Sequence, residues 1–168
     1  MATVVAIVAG WTDWRSRRIP NWLTLPGILL GIAVNAVAFG WPGARASVLG
    51  AALGLGLLLP FVMIRALGAG DWKLIGAIGA AMGPHHLLEI LWVTILINGV
   101  MAAVWVVAKG RMRETLRNLG RMLAALSTFH LPGADLTLEN PEAVKVPFGV
   151  AAAIAVMAYA GAHAIGGL

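Results

Sequence analysis

Apolar residues fill most of the chain in six segments, which short groups of polar residues, glycine and proline separate. The segments are 1–11, 22–39, 48–64, 72–82, 87–108 and 146–165. Long uninterrupted apolar runs are typical of helices that cross a membrane. The pattern predicts an all-α, polytopic bundle of about six transmembrane helices.

The first segment is shorter than a membrane span. At 1.5 Å per residue, residues 1–11 cover about 16 Å of a hydrocarbon core that is about 30 Å thick. Two explanations stay open: the start is shortened relative to related proteins, or the helix continues through Asp13. A cleavable signal peptide is disfavoured, because no basic region precedes the apolar run.

Glycine and proline mark the predicted helix ends. Gly40 and Pro42 close the second segment, and Gly83 followed by Pro84 stops the fourth. Small residues at 50, 51, 52, 54 and 56 predict a third helix that packs closely against a neighbour.

A single long polar stretch, residues 109–145, interrupts this pattern. Within 112–126, apolar residues recur at helical spacing opposite Arg113, Arg117 and Arg121. This spacing predicts one basic amphipathic helix that lies in the membrane surface, with its arginines attracted to anionic lipid headgroups.

Composition places the whole chain, residues 1–168, in one integral membrane domain. Of its residues, 60% are hydrophobic and 11% are charged. The chain contains no cysteine, which excludes disulfides, a thiol nucleophile and a cysteine-based metal site. We expect no metal and no cofactor.

The distribution of positive charge predicts the orientation. If the N-terminus starts outside, eleven of the twelve Lys and Arg residues fall on the cytoplasmic side and only Arg45 on the other. This asymmetry explains the net charge of +5 without a nucleic-acid partner. It also brings Asp13 and Asp71 to the cytoplasmic ends of their helices.

Two carboxylates at one membrane face suit peptide hydrolysis. An ionised carboxylate can take a proton from water while a protonated partner polarises the scissile carbonyl. Proximity favours this division, because like charges a few ångströms apart share a proton and titrate as a pair. We therefore predict Asp13 and Asp71 as a catalytic dyad, without assigning acid and base.

The residues around both aspartates resemble a known family. Asp13 is followed after five residues by Ile19-Pro20-Asn21, and Asp71 lies in Gly68-Ala69-Gly70-Asp71-Trp72-Lys73-Leu74. With residues 146–151, which look like the family's last helix, these motifs resemble the type IV prepilin peptidases, membrane aspartyl peptidases of the Gly-x-Gly-Asp type.

The resemblance implies an endopeptidase that cleaves the leader peptides of prepilin-like substrates at the cytoplasmic face of the bacterial inner membrane. The substrate's hydrophobic helix would lie among the spans. The larger members carry a Cys-x-x-Cys segment and also methylate the product. The absence of cysteine resembles the small form that serves Flp or tight-adherence pili, and implies cleavage without methyl transfer.

Five further residues are predicted to support the dyad. Gly68 and Gly70 allow close approach of other backbone to Asp71, and Pro20 and Asn21 form a helix-starting turn that positions Asp13. Lys73 either stabilises charge near Asp71 or extends to the membrane interface as an ordinary helix-end lysine.

Other readings of the same residues remain. The aspartates could belong to a transporter or channel, or be incidental in a structural subunit of a secretion system. The presenilin and signal-peptide-peptidase group shares Gly-x-Gly-Asp but adds a Tyr-Asp motif, whereas the single tyrosine here is Tyr159. Asp71 could cap its helix, Asn98 could bond between helices, and His85 and His86 are expected at the outer interface.

Overall fold

A computed structural model of the protein describes residues 1–127, 133, 137 and 146–166. These residues form five helices and no strand, which confirms the all-α prediction for this part of the chain. The helices are α1 (Ala2–Ser16), α2 (Asn21–Met63), α3 (Ala69–Ala108), α4 (Met112–Ser127) and α5 (Phe148–Gly166). The charged residues Asp135, Glu139, Glu142 and Lys145 of the polar stretch 109–145 lie outside the described residues.

Two of these helices are much longer than one membrane span. α2 has 43 residues and α3 has 40, and both are apolar enough to cross a membrane. Each contains one residue with non-helical dihedrals, Gly40 (φ 64°) in α2 and Gly83 (φ 78°) in α3. Six separate spans therefore stay a prediction.

The sequence predicts that a helix ends near Gly40 and near Gly83 and that a turn of several residues follows each. These turns are shorter than predicted. The chain bends at each glycine and resumes the helix at once, instead of leaving it for several residues. Glycine adopts the positive φ without strain. Proline suits the first turn of a new helix, where its missing N–H costs no hydrogen bond, and Pro84 follows the bend in α3 directly.

α2 and α3 pack backbone to backbone. An ideal Cβ atom at Gly50 would overlap the carbonyl oxygen of Gly79, and one at Gly79 would overlap the carbonyl oxygen of Gly50. Gly54 also faces α3, with its ideal Cβ 3.0 Å from the carbonyl oxygen of Ile75, whereas Gly56 has open space. The predicted close packing is thus present at Gly50 and Gly54.

α1 continues through Asp13, which agrees with one of the two explanations offered for the short first segment. It packs against α5, where an ideal Cβ at Gly10 would lie 2.9 Å from the Cβ of Ala153. α3 begins at Ala69, three residues before the predicted start, so that Asp71 lies inside its first turn.

Apolar side chains cover much of the surface. Val37 is 89% exposed, Trp41 80% and Leu29 68%. Burial is concentrated along α3, where Leu74, Ile75, Ile78, Leu87 and Ile90 have no exposed area. An apolar exterior around a small interior is the surface that a helix bundle presents to lipid.

α4 has the amphipathic character that the sequence predicts, and it ends one residue beyond the predicted stretch 112–126. It runs over Met112–Ser127, and its apolar residues Leu116, Leu119 and Leu123 are all more than half exposed. At its start Arg111 forms a salt bridge with Glu114 over 2.7 Å. Its position in a membrane surface stays a prediction.

Candidate active site

Asp13 is buried in the last turn of α1 and held by α5. The residue is 5% exposed, and its Oδ2 accepts a hydrogen bond of 2.8 Å from the backbone N–H of Gly149. Gly149 is the second residue of α5, and the first N–H groups of a helix have no partner within it. The start of α5 therefore supplies a donor to Asp13.

Gly149 also leaves room for the carboxylate. An ideal Cβ atom there would lie 2.9 Å from the Cβ of Asp13 and 3.1 Å from both Oδ2 and the Cδ1 of Ile19. These are closer than ordinary carbon contacts, so that glycine is required by the packing. The sequence alone indicates no role for Gly149, although it lies in the family-like stretch 146–151.

Asp71 occupies the third position of α3. Gly68 is the N-cap, so Asp71 is not the capping residue itself. Instead its carboxylate accepts a hydrogen bond from the backbone N–H of Gly68, as the acidic residue of a capping box does. An ideal Cβ at Gly68 would lie 2.9 Å from Asp71 Oδ2. Gly68 thus caps the helix, donates to the carboxylate and leaves space for it.

Both aspartates line one cavity of about 600 Å³. Their charges are close enough to interact, although 57 residues separate them in the chain. The cavity is otherwise walled by apolar residues, by two arginines and by one asparagine. These are Arg17, Arg18, Ile19, Ala66, Leu67, Gly68, Gly70, Asn98, Ala102, Val146 and Phe148.

The segment Ile19-Pro20-Asn21 follows α1, which carries Asp13, and contacts the start of α3, which carries Asp71. Ile19 is buried, and an ideal Cβ at Gly70 would lie 3.1 Å from its carbonyl oxygen. Pro20 is the N-cap of α2 in an extended conformation. Asn21 then accepts a hydrogen bond of 2.9 Å from the Nζ of Lys73 through its Oδ1.

Lys73 is therefore placed beside Asn21, and it is not among the residues that line the cavity. Its predicted action on charge at Asp71 stays a prediction. The hydrogen bond instead joins Lys73, from the Gly-x-Gly-Asp motif, to Asn21, from the motif that follows Asp13. The sequence predicts separate roles for these two residues.

Arg17, Arg18 and Asn98 are cavity residues that sequence reasoning did not place at the site. Arg17 ends α1 with a left-handed backbone (φ 52°), and its guanidinium lies 5.4 Å from the ring centre of Trp105. The sequence signal for both arginines was their position between Asp13 and Ile19. Asn98 was predicted only as an interhelical hydrogen-bonding residue.

The remaining polar candidates lie elsewhere. The hydroxyl of Tyr159 is hydrogen-bonded to the Nδ1 of His86, and Tyr159 is stacked on His163 with ring centres 4.1 Å apart. Tyr159 is thus not a cavity residue. Within the described part of the chain, no group of three or more His, Asp or Glu side chains is arranged to hold a metal ion.

Comparison with known proteins gives consistent results. Residues 1–107 match the model of the type IV leader peptidase family. A prepilin leader peptidase/N-methyltransferase of Xanthomonas campestris pv. campestris is 34% identical over 119 residues, which are 67% of this chain and 41% of that protein. The enzyme of the same name from Neisseria gonorrhoeae is 35% identical over 116 residues, which are 65% of this chain and 40% of that protein.

The chain thus spans about two fifths of the length of the curated relatives it matches. No solved structure gives a significant match. The family model covers well over half of the chain and includes both aspartate motifs. The protein belongs to the type IV leader peptidase family.

Proposed function

We propose that this protein is an aspartyl endopeptidase that cleaves the leader peptides of prepilin-like proteins at the cytoplasmic face of the bacterial inner membrane. The observation that carries the proposal is that Asp13 and Asp71, from distant segments, line one cavity and interact through their charges. Family membership and the names of both curated relatives support the same activity.

The chemistry requires one proton shared by the two carboxyl groups. The ionised group takes a proton from a water molecule as that water attacks the scissile carbonyl carbon, while the protonated group donates a hydrogen bond to the carbonyl oxygen. The C–N bond then breaks, and the leaving amine receives the proton that the first carboxyl group took from the water. Each carboxylate accepts one backbone N–H, from Gly149 or from Gly68. We assign neither carboxyl group as the acid or the base.

The substrate is a peptide joined to a hydrophobic helix. Ala66, Leu67, Ala102, Val146 and Phe148 give the cavity an apolar wall, which suits the border between such a helix and its leader. Membrane lipids contact the apolar exterior, and no nucleic acid is involved. Arg113, Arg117 and Arg121 would attract anionic headgroups, each by about 1 kcal/mol.

The proposed topology has six membrane crossings. At 1.5 Å per residue α2 is about 65 Å long, roughly twice the hydrocarbon thickness. The bends at Gly40 and Gly83 divide α2 and α3 into segments of single-span size or shorter. With eleven of twelve basic residues inside, the site faces the cytoplasm.

The alternatives of a transporter and of a structural secretion subunit are not favoured by the family match.

The test is cleavage of a candidate prepilin co-expressed in membranes with the wild type, Asp13→Asn or Asp71→Asn. Each substitution keeps the side-chain shape and removes the ionisable group. Glu114→Gln is the matched control, because it makes the same chemical change at a residue outside the cavity. Loss of cleavage in both aspartate variants, with normal protein levels and an active control, supports the proposal. Unchanged cleavage in both contradicts it.

A further inference from the structure

The two aspartates are held in different ways. Asp13 accepts a hydrogen bond from Gly149, which belongs to another helix. Asp71 accepts a hydrogen bond from Gly68, which is the N-cap of its own helix, α3. The bond from Gly68 turns with α3 and therefore does not fix Asp71 relative to Asp13. The distance between the two carboxyl groups depends on contacts between the start of α3 and other elements.

Trp72, the residue after Asp71, supplies such a contact. Its indole Nε1–H donates a hydrogen bond of 2.7 Å to the backbone carbonyl oxygen of Leu55 in α2. A carbonyl oxygen has two lone pairs, so that it can accept this donor in addition to a helical N–H. The bond is partly buried, whereas the bond from Lys73 to Asn21 is exposed. Water therefore competes less with the bond of Trp72.

Leu55 meets the same face of α3 at a second position. Trp72 and Gly76 are four residues apart, which places them on one face of the helix. An ideal Cβ atom at Gly76 would lie 2.8 Å from the Cδ2 of Leu55. The backbone of Leu55 is thus bonded by Trp72, while its side chain packs against Gly76. Together the two contacts keep this face of α3 directed at α2.

Rotation of α3 about its axis is the movement that these contacts oppose. Successive residues of an α-helix are about 100° apart around the axis, so that Asp71 lines the cavity while Trp72 faces α2. Side chains extend about 5 to 6 Å from a helix axis, and a rotation of about 10° therefore moves a carboxylate by about 1 Å. A displacement of that size in a catalytic group costs about 100-fold in rate.

We propose that Trp72 is a positioning residue, whose hydrogen bond to Leu55 fixes the rotation of α3 and thereby keeps the carboxyl group of Asp71 facing Asp13 across the cavity. The inference rests on the proposed peptidase function and adds a residue for which the sequence alone predicts no role at the site. Since Trp72 is not a cavity residue, it acts on the rate of the chemical step and not on substrate binding.

The experiment measures cleavage of one candidate prepilin in detergent by the wild type and by Trp72→Phe, at equal amounts of folded protein. Phenylalanine keeps an aromatic ring and removes the N–H donor. For Trp72→Phe we expect kcat to fall about tenfold, because Asp71 is less firmly positioned. KM should stay within twofold of the wild-type value, because the cavity wall that binds the peptide is unchanged.

Asn35→Leu is the matched control. The Nδ2 of Asn35 in α2 donates to the carbonyl oxygens of Ala80 and Ala81 in α3, over 3.3 and 3.2 Å. It thus removes the same kind of bond between the same two helices, but more than two helical turns away from Asp71. Both variants should lower the thermal stability, and only Trp72→Phe should lower kcat. An equal loss of kcat in Asn35→Leu would mean that the rate follows helix packing in general, and would overturn the role of Trp72.

An isosteric residue tests the hydrogen bond itself. Benzothienylalanine, introduced in place of Trp72 at an amber codon, has sulfur where indole has its N–H and keeps the outline of the two fused rings. This variant should fold like the wild type and lower kcat about as much as Trp72→Phe does. It decides the question even where Trp72→Phe does not fold.

The outcomes separate the two proposals. If the wild type cleaves and the benzothienylalanine variant keeps its kcat, the hydrogen bond does not position Asp71; the inference is then overturned and the peptidase function stands. A raised KM with unchanged kcat would also overturn it, since Trp72 would then act on substrate binding. If the wild type cleaves no prepilin while folding normally, the peptidase function fails and the positioning role of Trp72 fails with it.

Discussion

The backbone N–H of Gly149 donates a hydrogen bond of 2.8 Å to the carboxylate of Asp13. It joins the first turn of α5 to the last turn of α1, across 136 positions of sequence. The candidate site is therefore completed by a helix that lies after the polar stretch 109–145. The orientation of Asp13 depends on how α5 packs.

Replacing Gly149 by alanine should disturb Asp13 directly. The new methyl group would press on the Cβ and Oδ2 of Asp13, and a displacement near 1 Å in a catalytic group costs about 100-fold in rate. We expect kcat/KM for prepilin cleavage to fall by that order in Gly149→Ala.

Gly161→Ala is the matched control on the same helix, because an ideal Cβ at Gly161 meets nothing within 4 Å. It should cleave like the wild type. Equal activity of Gly149→Ala and Gly161→Ala would contradict the proposal that α5 positions the carboxylate of Asp13.

The Lys73–Asn21 hydrogen bond predicts coupling between the two motifs. Lys73→Met and Asn21→Leu should each reduce cleavage several-fold by loosening the start of α2 against α3. The double variant should be no worse than either single one, because both remove the same bond. The bond is exposed, so the free energy of unfolding should change by less than about 1 kcal/mol.

The same series tests the other role predicted for Lys73. If Lys73 acted on charge at Asp71, Lys73→Met would abolish cleavage while Asn21→Leu left it intact. Steady-state kinetics of the three variants distinguish the two cases.

Close packing of α2 on α3 predicts a sharp difference between two glycines. Gly50→Ala forces a methyl group into the carbonyl of Gly79, and overpacking of this kind costs about 1 to 3 kcal/mol. Gly56→Ala on the same helix enters open space and should be tolerated. Thermal unfolding in detergent should give a lower Tm for Gly50→Ala alone; equal Tm values would argue against the packing.

The absence of cysteine in the chain allows a clean test of topology. Arg45→Cys and Arg113→Cys each introduce a single thiol at an exposed position. In intact spheroplasts, a membrane-impermeant maleimide should label Arg45→Cys only, and both variants after lysis. Labelling of Arg113→Cys before lysis would reverse the proposed orientation and place the aspartates outside.

The sequence was informative where local chemistry decides the outcome. The amphipathic period of 112–126 corresponds to α4, Gly40 and Gly83 mark real bends, and two motifs pointed to Asp13 and Asp71. The turn predicted after Gly40 failed because a glycine with a proline two residues later, Pro42, can end one helix and start another without a loop.

The sequence could not show which residues far apart in the chain contact each other. Gly149 lies in the family-like stretch 146–151, but only the packing of α5 on α1 shows that its N–H faces Asp13. Likewise, Asn35 and Asn98 look equivalent in apolar sequence, and only their surroundings separate a bonded amide from an orphaned acceptor.

The most direct test of the central claim is a kinetic cycle on Asp13 and Asp71. We would measure kcat/KM for one prepilin with the wild type, Asp13→Asn, Asp71→Asn and the double variant, at equal amounts of folded protein. Residues that act as one catalytic unit give losses that do not add. We predict that each single variant loses as much activity as the double one. A single variant that cleaves at the wild-type rate would contradict the dyad.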